Sequence, residues 1–253
     1  MMPDPIESFR HFLKDTVRKT IDFSQTEQHR GIPPPPVEKP FAPDARRIDL
    51  VSDPQWPHIG PVDIASAIRR RRSHRSYSDQ ALSLEELSFL LWATQGLRER
   101  LGSGTALRTV PSAGGRHALE TYLCVLRVEG LEPGFYRYLP IEHQLVAEFS
   151  DPRADEKLAE AAFGQSFVGR AAVTFIWSAI PYRMEWRYGL AAHKVIAIDA
   201  GHVCQNLYLA CEAIGAGTCA IAAYDQEAMD RLLRLDGKEE FVIYLAPVGK
   251  KPK

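Results

Sequence analysis

The chain has 253 residues, and its 31 lysines and arginines are offset by 32 aspartates and glutamates, leaving a net charge of −1. That balance provides no field to draw nucleic acid or an anionic membrane surface, and neither is expected as a partner. Hydrophobic residues at 45% and charged residues at 25% exclude a disordered or fibrous chain. Apolar runs such as Ala171–Ile180 reach about half of the roughly 20 residues that a membrane-spanning helix needs. The N-terminal stretch alternates charged and apolar side chains without an apolar export core, so a cytoplasmic protein is expected. Cys124, Cys204, Cys211 and Cys219 form no C-x-x-C pair and read as small core residues rather than a disulfide or zinc framework.

In chain order, Ile6, Phe9, Phe12, Leu13, Val17 and Ile21 recur at helical spacing and predict an amphipathic helix that packs on something. Eleven of the 18 prolines lie in residues 1–61, four of them consecutive at 33–36, so the stretch from Gly31 to Pro43 is expected to be extended. Residues 1–60 read as an N-terminal arm and residues 61–253 as the domain that follows. Asp63 caps a short helix running to the Arg69–Arg72 cluster. Ser83 and Glu86 form a capping box for a second helix, which Gly96 stops.

Thr121–Val128, Phe135–Leu139 and Leu145–Phe149 read as strands of a hairpin-rich region, Arg153–Phe163 as a helix ended by Gly164, and Ala171–Ile180 as a buried strand. Ile196, Ala200, Val203, Leu207, Ala210 and Ile214 mark the strongest helix, which Gly215 ends. Asp225 opens a further helix through Leu235, and Phe241–Val248 supplies a last strand. Helices and strands interleave without regular βαβ alternation, which predicts an α+β fold.

Gly215–Ala220 satisfies the G-x-G-x-x-A string but follows a helix, so a helix stop leading into a strand is the better reading than a dinucleotide fingerprint. The run Arg69-Arg70-Arg71-Arg72-Ser73-His74-Arg75 offers guanidinium forks, a hydroxyl and backbone N–H groups suited to a phosphate monoester. It reads equally as a solvated helix end complementing the macrodipole. Pro111-Ser112-Ala113-Gly114-Gly115 is small enough for its backbone to approach a flat ligand, and a plain turn is an equal reading. Asp199-Ala200-Gly201-His202, with Gln205 and Asn206, puts polar groups into a core-like helix, where they need partners. His193 and His202 lack metal-ligand spacing, so no metal is expected, and no nucleophile elbow points to hydrolysis.

Taken in order, R-R-S-H-R-S-Y at 71–77, L-S-L-E-E-L-S-F-L-L-W-A-T-Q-G at 82–96, P-S-A-G-G at 111–115, E-P-G-F-Y-R-Y at 132–138, D-A-G-H-V-C-Q-N-L-Y-L-A at 199–210 and P-V-G-K at 247–250 resemble the SagB-type dehydrogenase branch of the FMN-dependent nitroreductase superfamily. The resemblance covers about residues 30–250. It implies a nitroreductase-like α+β fold with a central, mostly antiparallel sheet flanked by helices, in an interlocked homodimer with FMN at the subunit interface. It implies that Arg71, Ser73 and Arg75, with Arg72 beside them, hold the FMN phosphate and ribityl chain. Pro111, Ser112, Ala113 and Gly114 would pack on the flavin, Ala220, Ile221, Ala222 and Ala223 would meet its N5/O4 edge, and Lys250 would complete the phosphate site.

The implied activity is hydride transfer through flavin N5 to or from a small organic or peptide substrate, with NADH or NADPH as a possible co-substrate. Branch members that oxidise azolines beside a cyclodehydratase partner carry a Lys-Tyr pair where this sequence has Arg187-Tyr188. Arginine stays protonated and cannot serve as a general base, so proton transfer would fall to Tyr188, unless Tyr188 simply packs in the pocket. Ala191 also replaces an arginine common in relatives. The competing expectation is a flavin-binding accessory or scaffold protein of a peptide-modifying complex, without turnover of its own.

Overall fold

The computed structural model describes residues 5–52, 56–102 and 104–252, so residues 1–4 of the expected arm and Lys253 at the end of the expected domain lie outside it. Its elements are α1 (Pro5–Leu13), β1 (Arg47–Asp49), α2 (Ile64–Arg70), α3 (Leu84–Gln95), β2 (Leu97–Arg100), β3 (Ala106–Arg108), β4 (Leu119–Val125), β5 (Gly134–Leu139) and β6 (Gln144–Phe149). They continue with α4 (Ala154–Ala161), β7 (Val173–Ala179), α5 (Tyr182–Tyr188), α6 (Ala192–Ala213), β8 (Ala216–Thr218), α7 (Gln226–Leu232) and β9 (Phe241–Lys250). Seven strands form one antiparallel sheet in the order β1-β6-β5-β4-β7-β9-β8, and β2 pairs with β3 in a separate ribbon.

Strands β4 and β7 are buried along their whole length because both faces of the sheet are covered. Period-two alternation sends Leu119, Leu123, Val125, Val173, Phe175 and Trp177 to one face, where they pack with Leu87, Leu90 and Leu91 of α3 and Ile196, Val203 and Leu207 of α6. Tyr122, Cys124 and Ile176 point the other way, into a second core with Leu158 of α4 and Met229 of α7. The result is the expected α+β architecture of an antiparallel sheet between helical layers. All four cysteines are buried and unpaired.

Local signals placed several helices correctly. Asp63 accepts from Ser66 N at 2.8 Å, and the Ser83–Glu86 capping box closes in both directions at 3.1 and 3.0 Å. Two expectations need correction. The N-terminal helix stops at Leu13 instead of reaching Ile21, because the chain tightens into a 3-10 turn at Thr16–Thr20, and none of the residues of α1 is buried. The strand expected over 121–128 runs from Leu119 to Val125, since Leu126 N and Arg127 N both turn to the Ala172 carbonyl.

The extended stretch after Pro36 lies against the sheet through buried charge. Arg108 donates to Val37 O at 2.7 Å, Arg137 donates to Lys39 O at 2.8 Å, and Lys39 N donates to Glu120 at 2.9 Å. Glu120, itself buried, also receives Arg183 at 2.6 Å, so the arginines that would be costly alone in the core are compensated. The chain then continues into β1, the edge strand beside β6. Among the described residues no helix is long and apolar enough to cross a membrane.

Candidate functional site

The first cluster forms where α2 ends. Arg72 folds back on its own helix, donating to the carbonyls of Arg69 and Arg71 at 2.9 Å, and thereby closes the C-terminus. Arg71 leaves in the other direction, with its guanidinium 5.3 Å from the centre of the Tyr208 ring on α6. Ser73 follows as an exposed residue that forms a bridge to Thr218 at the end of β8, and His74 N donates to Thr218 O at 2.9 Å. The Tyr208 hydroxyl lies 2.9 Å from Ser73 Oγ and accepts from Ala220 N at 2.8 Å.

One phenol thus ties the Arg71–Ser73 segment to the first residue of the 220–223 loop. Neither Arg71 nor the exposed Arg75 has a carboxylate partner among the described residues, whereas Arg70 next door lies 3.8 Å from Glu212. Ile221 exchanges two backbone hydrogen bonds with Leu245 at 2.8 and 3.1 Å, and Gln165 holds Ala223 O at 3.0 Å; Ala222 and Ala223 are exposed. Lys250 faces elsewhere: its ammonium holds the Glu86 carboxylate and the Ile214 carbonyl at the end of α6.

The glycines of the G-x-G string have a packing explanation. Gly215 ends α6 at φ +64°, and a Cβ at Gly217 would fall 2.6 Å from the His74 ring. A Cβ at Gly249 would likewise fall 2.8 Å from Tyr77. The segment after Ser73 therefore lies directly over two glycines of β8 and β9, and Gly215, between α6 and β8, is the helix stop leading into a strand that the string suggested.

A second cluster gathers Pro111–Gly114, the end of α5 and the first half of α6. Asp199 is buried and its two carboxylate oxygens lie 3.4 and 3.3 Å from Ala113 N, the donor. Burial raises its pKa, while the hydrogen bonds from Ser112 and Ala113 oppose the rise. Ser112 Oγ accepts from His117 N at 2.9 Å, and burial together with Arg108 drives the His117 pKa down to about 2, so this ring is neutral. Pro111 and Gly114 are exposed. Gly114 has φ +60°, and a Cβ there would lie 2.5 Å from the Tyr188 hydroxyl and 3.0 Å from Arg187 Nε. The small-residue segment and the Arg187-Tyr188 pair, 73 residues apart in sequence, are therefore neighbours.

Both clusters hang on α6. Asp199 serves one and Tyr208 the other, nine residues and so about 13–14 Å apart along the helix axis. Tyr208 escaped the reading of the sequence, although it lies within the 199–210 string; a tyrosine among core-facing residues was the available signal. Helix α5, which carries Arg187 and Tyr188, was also missed, because it is seven residues long and follows Pro181, which gives it no side-chain cap.

The Nitroreductase family model matches residues 68–250 of this chain. The nitroreductase-like protein MJ1384 of Methanocaldococcus jannaschii is 34% identical over 197 residues, which is 78% of this chain and 96% of that protein. A nitroreductase-like protein of Ralstonia eutropha superposes with a TM-score of 0.68 at 25% identity, covering 87% of this chain and 99% of its own. One from Anabaena variabilis gives the same score and identity over 83% of this chain, which spans 42% of that longer protein. A chain of the Escherichia coli microcin synthetase McbBCD complex, solved with truncated pro-MccB17, shares the fold at TM-score 0.60 and 20% identity, over 78% of this chain and 77% of its own.

Proposed function

This chain belongs to the Nitroreductase family, and from that premise we propose that it is an FMN-dependent oxidoreductase acting on a small organic substrate. The observation that carries the reading is the Arg71–Ser73–Tyr208 cluster, where guanidinium and hydroxyl groups converge and no acid among the described residues neutralises them. Such a donor set suits a phosphate monoester, because charge-assisted hydrogen bonds from an arginine fork and a hydroxyl replace the water that the dianion loses. Arg75 adds a second cation on the same segment, without a carboxylate partner among the described residues. Bound flavin would supply reversible two-electron hydride chemistry at N5.

The chain's own residues would do the rest. Tyr208 fixes Ser73 relative to Ala220, so the anion anchor and the 220–223 loop keep one spacing. Asp199 holds Ala113, and with it the Pro111–Gly114 segment, against α6, and the missing side chain at Gly114 is the space that the Tyr188 hydroxyl takes. Arg187 and Tyr188 stand beside this segment, and Tyr188 is the residue there able to give up or accept a proton, because the guanidinium retains its own. In this reading the protein works as a homodimer, and NADH or NADPH reduces the flavin in a ping-pong cycle.

The finer assignment, to the SagB-type dehydrogenases, rests on the string of motifs and on the shared fold with a microcin synthetase chain. Arginine at position 187 speaks against base-assisted azoline oxidation. A second reading, a flavin-binding scaffold for a peptide-modifying complex with a cyclodehydratase, draws on the same feature. One experiment separates them: absorbance spectra of the purified protein before and after anaerobic NADH or NADPH, in wild type and Arg71→Ala. A yellow protein that bleaches, with colour lost in the variant, supports the reductase. A yellow protein that resists both donors and every acceptor supports the scaffold, and one that stays colourless with added FMN removes the flavin reading altogether.

A further inference from the structure

The arginines around α5 differ in one respect. Arg108 donates to Gln95 and Val37, Arg116 to the carbonyls of Arg183 and Gly104, and Arg183 to Glu120 and the His117 carbonyl. Arg187, one turn beyond Arg183, is half-buried and among the described residues donates no side-chain hydrogen bond and meets no carboxylate. Its guanidinium lies 5.5 Å from the ring centre of Tyr188, whose hydroxyl also has no hydrogen-bond partner there. Both groups border Gly114.

The local acids are committed elsewhere. Glu185 on the same helix lies 2.8 Å from His193, and Asp199 faces Ala113 N. Burial and the charges of Arg187 and Arg183 hold the Arg116 pKa below its ordinary value, as expected where positive charge is not locally compensated. A partly desolvated guanidinium fork and a phenol, both unpaired and side by side, make a recognition point for a planar oxyanion.

We propose that Arg187 and Tyr188 bind a carboxylate on the substrate, so that this enzyme acts on small organic acids in preference to their neutral counterparts. The inference rests on the oxidoreductase reading above and names the substrate class for that same site. The arginine fork would take the two carboxylate oxygens and the Tyr188 hydroxyl would donate to one of them. A phosphate on the nicotinamide donor offers similar anion chemistry, so the test includes both donors.

The test uses the full-length, FMN-loaded protein, with 4-nitrobenzoate and 4-nitrobenzamide as acceptors and NADH or NADPH as donor, in wild type, Arg187→Gln and Arg187→Lys. Flavin absorbance reports folding and loading. Wild type should show the lower KM for nitrobenzoate. The ratio of the two KM values should fall at least about tenfold in Arg187→Gln and less in Arg187→Lys, which keeps the charge but loses the fork. Unreactive benzoate should inhibit wild type competitively and benzamide should not, an arm that needs no variant.

Equal KM values and equal inhibition in wild type overturn the inference and leave the oxidoreductase reading standing. A preference unmoved by Arg187→Gln, or a change confined to the NADPH-to-NADH ratio, overturns it too. A loaded wild-type protein that reduces neither probe with either donor overturns the oxidoreductase reading on which it depends.

Discussion

The hydroxyl of Tyr188 lies 2.5 Å from the point that a Cβ on Gly114 would occupy. No real Cβ tolerates that approach, and φ +60° at Gly114 independently disfavours any side chain. The Pro111–Gly114 segment and the α5 pair are therefore fitted to each other through a missing methyl group.

Gly114→Ala should cost roughly 1–2 kcal/mol of stability and weaken FMN retention. Adding Tyr188→Phe removes the clashing oxygen and should recover part of both losses, although the backbone strain stays. Thermal denaturation and flavin fluorescence titration of the single and double variants provide the check; a double variant no better than Gly114→Ala would show that the contact is not the cause.

Tyr208→Phe keeps the ring beneath Arg71 but deletes the oxygen shared by Ser73 and Ala220. Ala220 N loses its acceptor, at roughly 1 kcal/mol, and the Kd for FMN should rise about tenfold. Isothermal titration with FMN measures this, and an unchanged Kd would exclude the hydroxyl from any part in aligning the anchor.

Neighbouring arginines should separate by phenotype. Arg71→Ala should lose FMN while melting near the temperature of FMN-free wild type. Arg72→Ala gives up the cap on α2 and should lower the melting temperature by roughly 1–2 °C, with flavin largely retained. Equal loss of FMN in both would mean that Arg72 leaves its carbonyls to help bind the ligand.

Glu38 is buried, and its pKa is raised from 4.5 to about 7, chiefly by burial, with Glu142 and Glu120 adding repulsion against the hydrogen bond from Ile141 N. A folded-state pKa above the unfolded one means that this group's contribution is fully present below pH 4.5 and is lost as pH rises through 7. Glu38→Gln removes the titration. It should match wild type below pH 4.5 and exceed it by about 3 kcal/mol above pH 7. Urea denaturation across that range tests the sign, and a gap that shrinks with rising pH would contradict it.

How much was legible in the sequence follows the range of the forces involved. Helix caps at Asp63, Ser83 and Asp225, the stop at Gly215 and the apolar run over Ala171–Ile180 act within a few residues, so the main elements and the α+β class could be read directly. The short α5, the β2–β3 ribbon and the edge strand β1 carry too few residues for a periodic signal, and tertiary contacts stabilise them. The arginine run by itself left anchor and helix end equally open; folding sends its members apart, since successive residues at a helix terminus point in different directions, Arg72 to its own carbonyls and Arg71 to Tyr208. Lys250 is directed to Glu86 because the last strand ends beside the start of α3. Composition and local spacing determined which elements form. Only the packing of α5 and α6 decided that Gly114 meets Tyr188 and that Ser73 meets Tyr208, because contacts between residues 73 or more positions apart depend on the whole chain closing around its core.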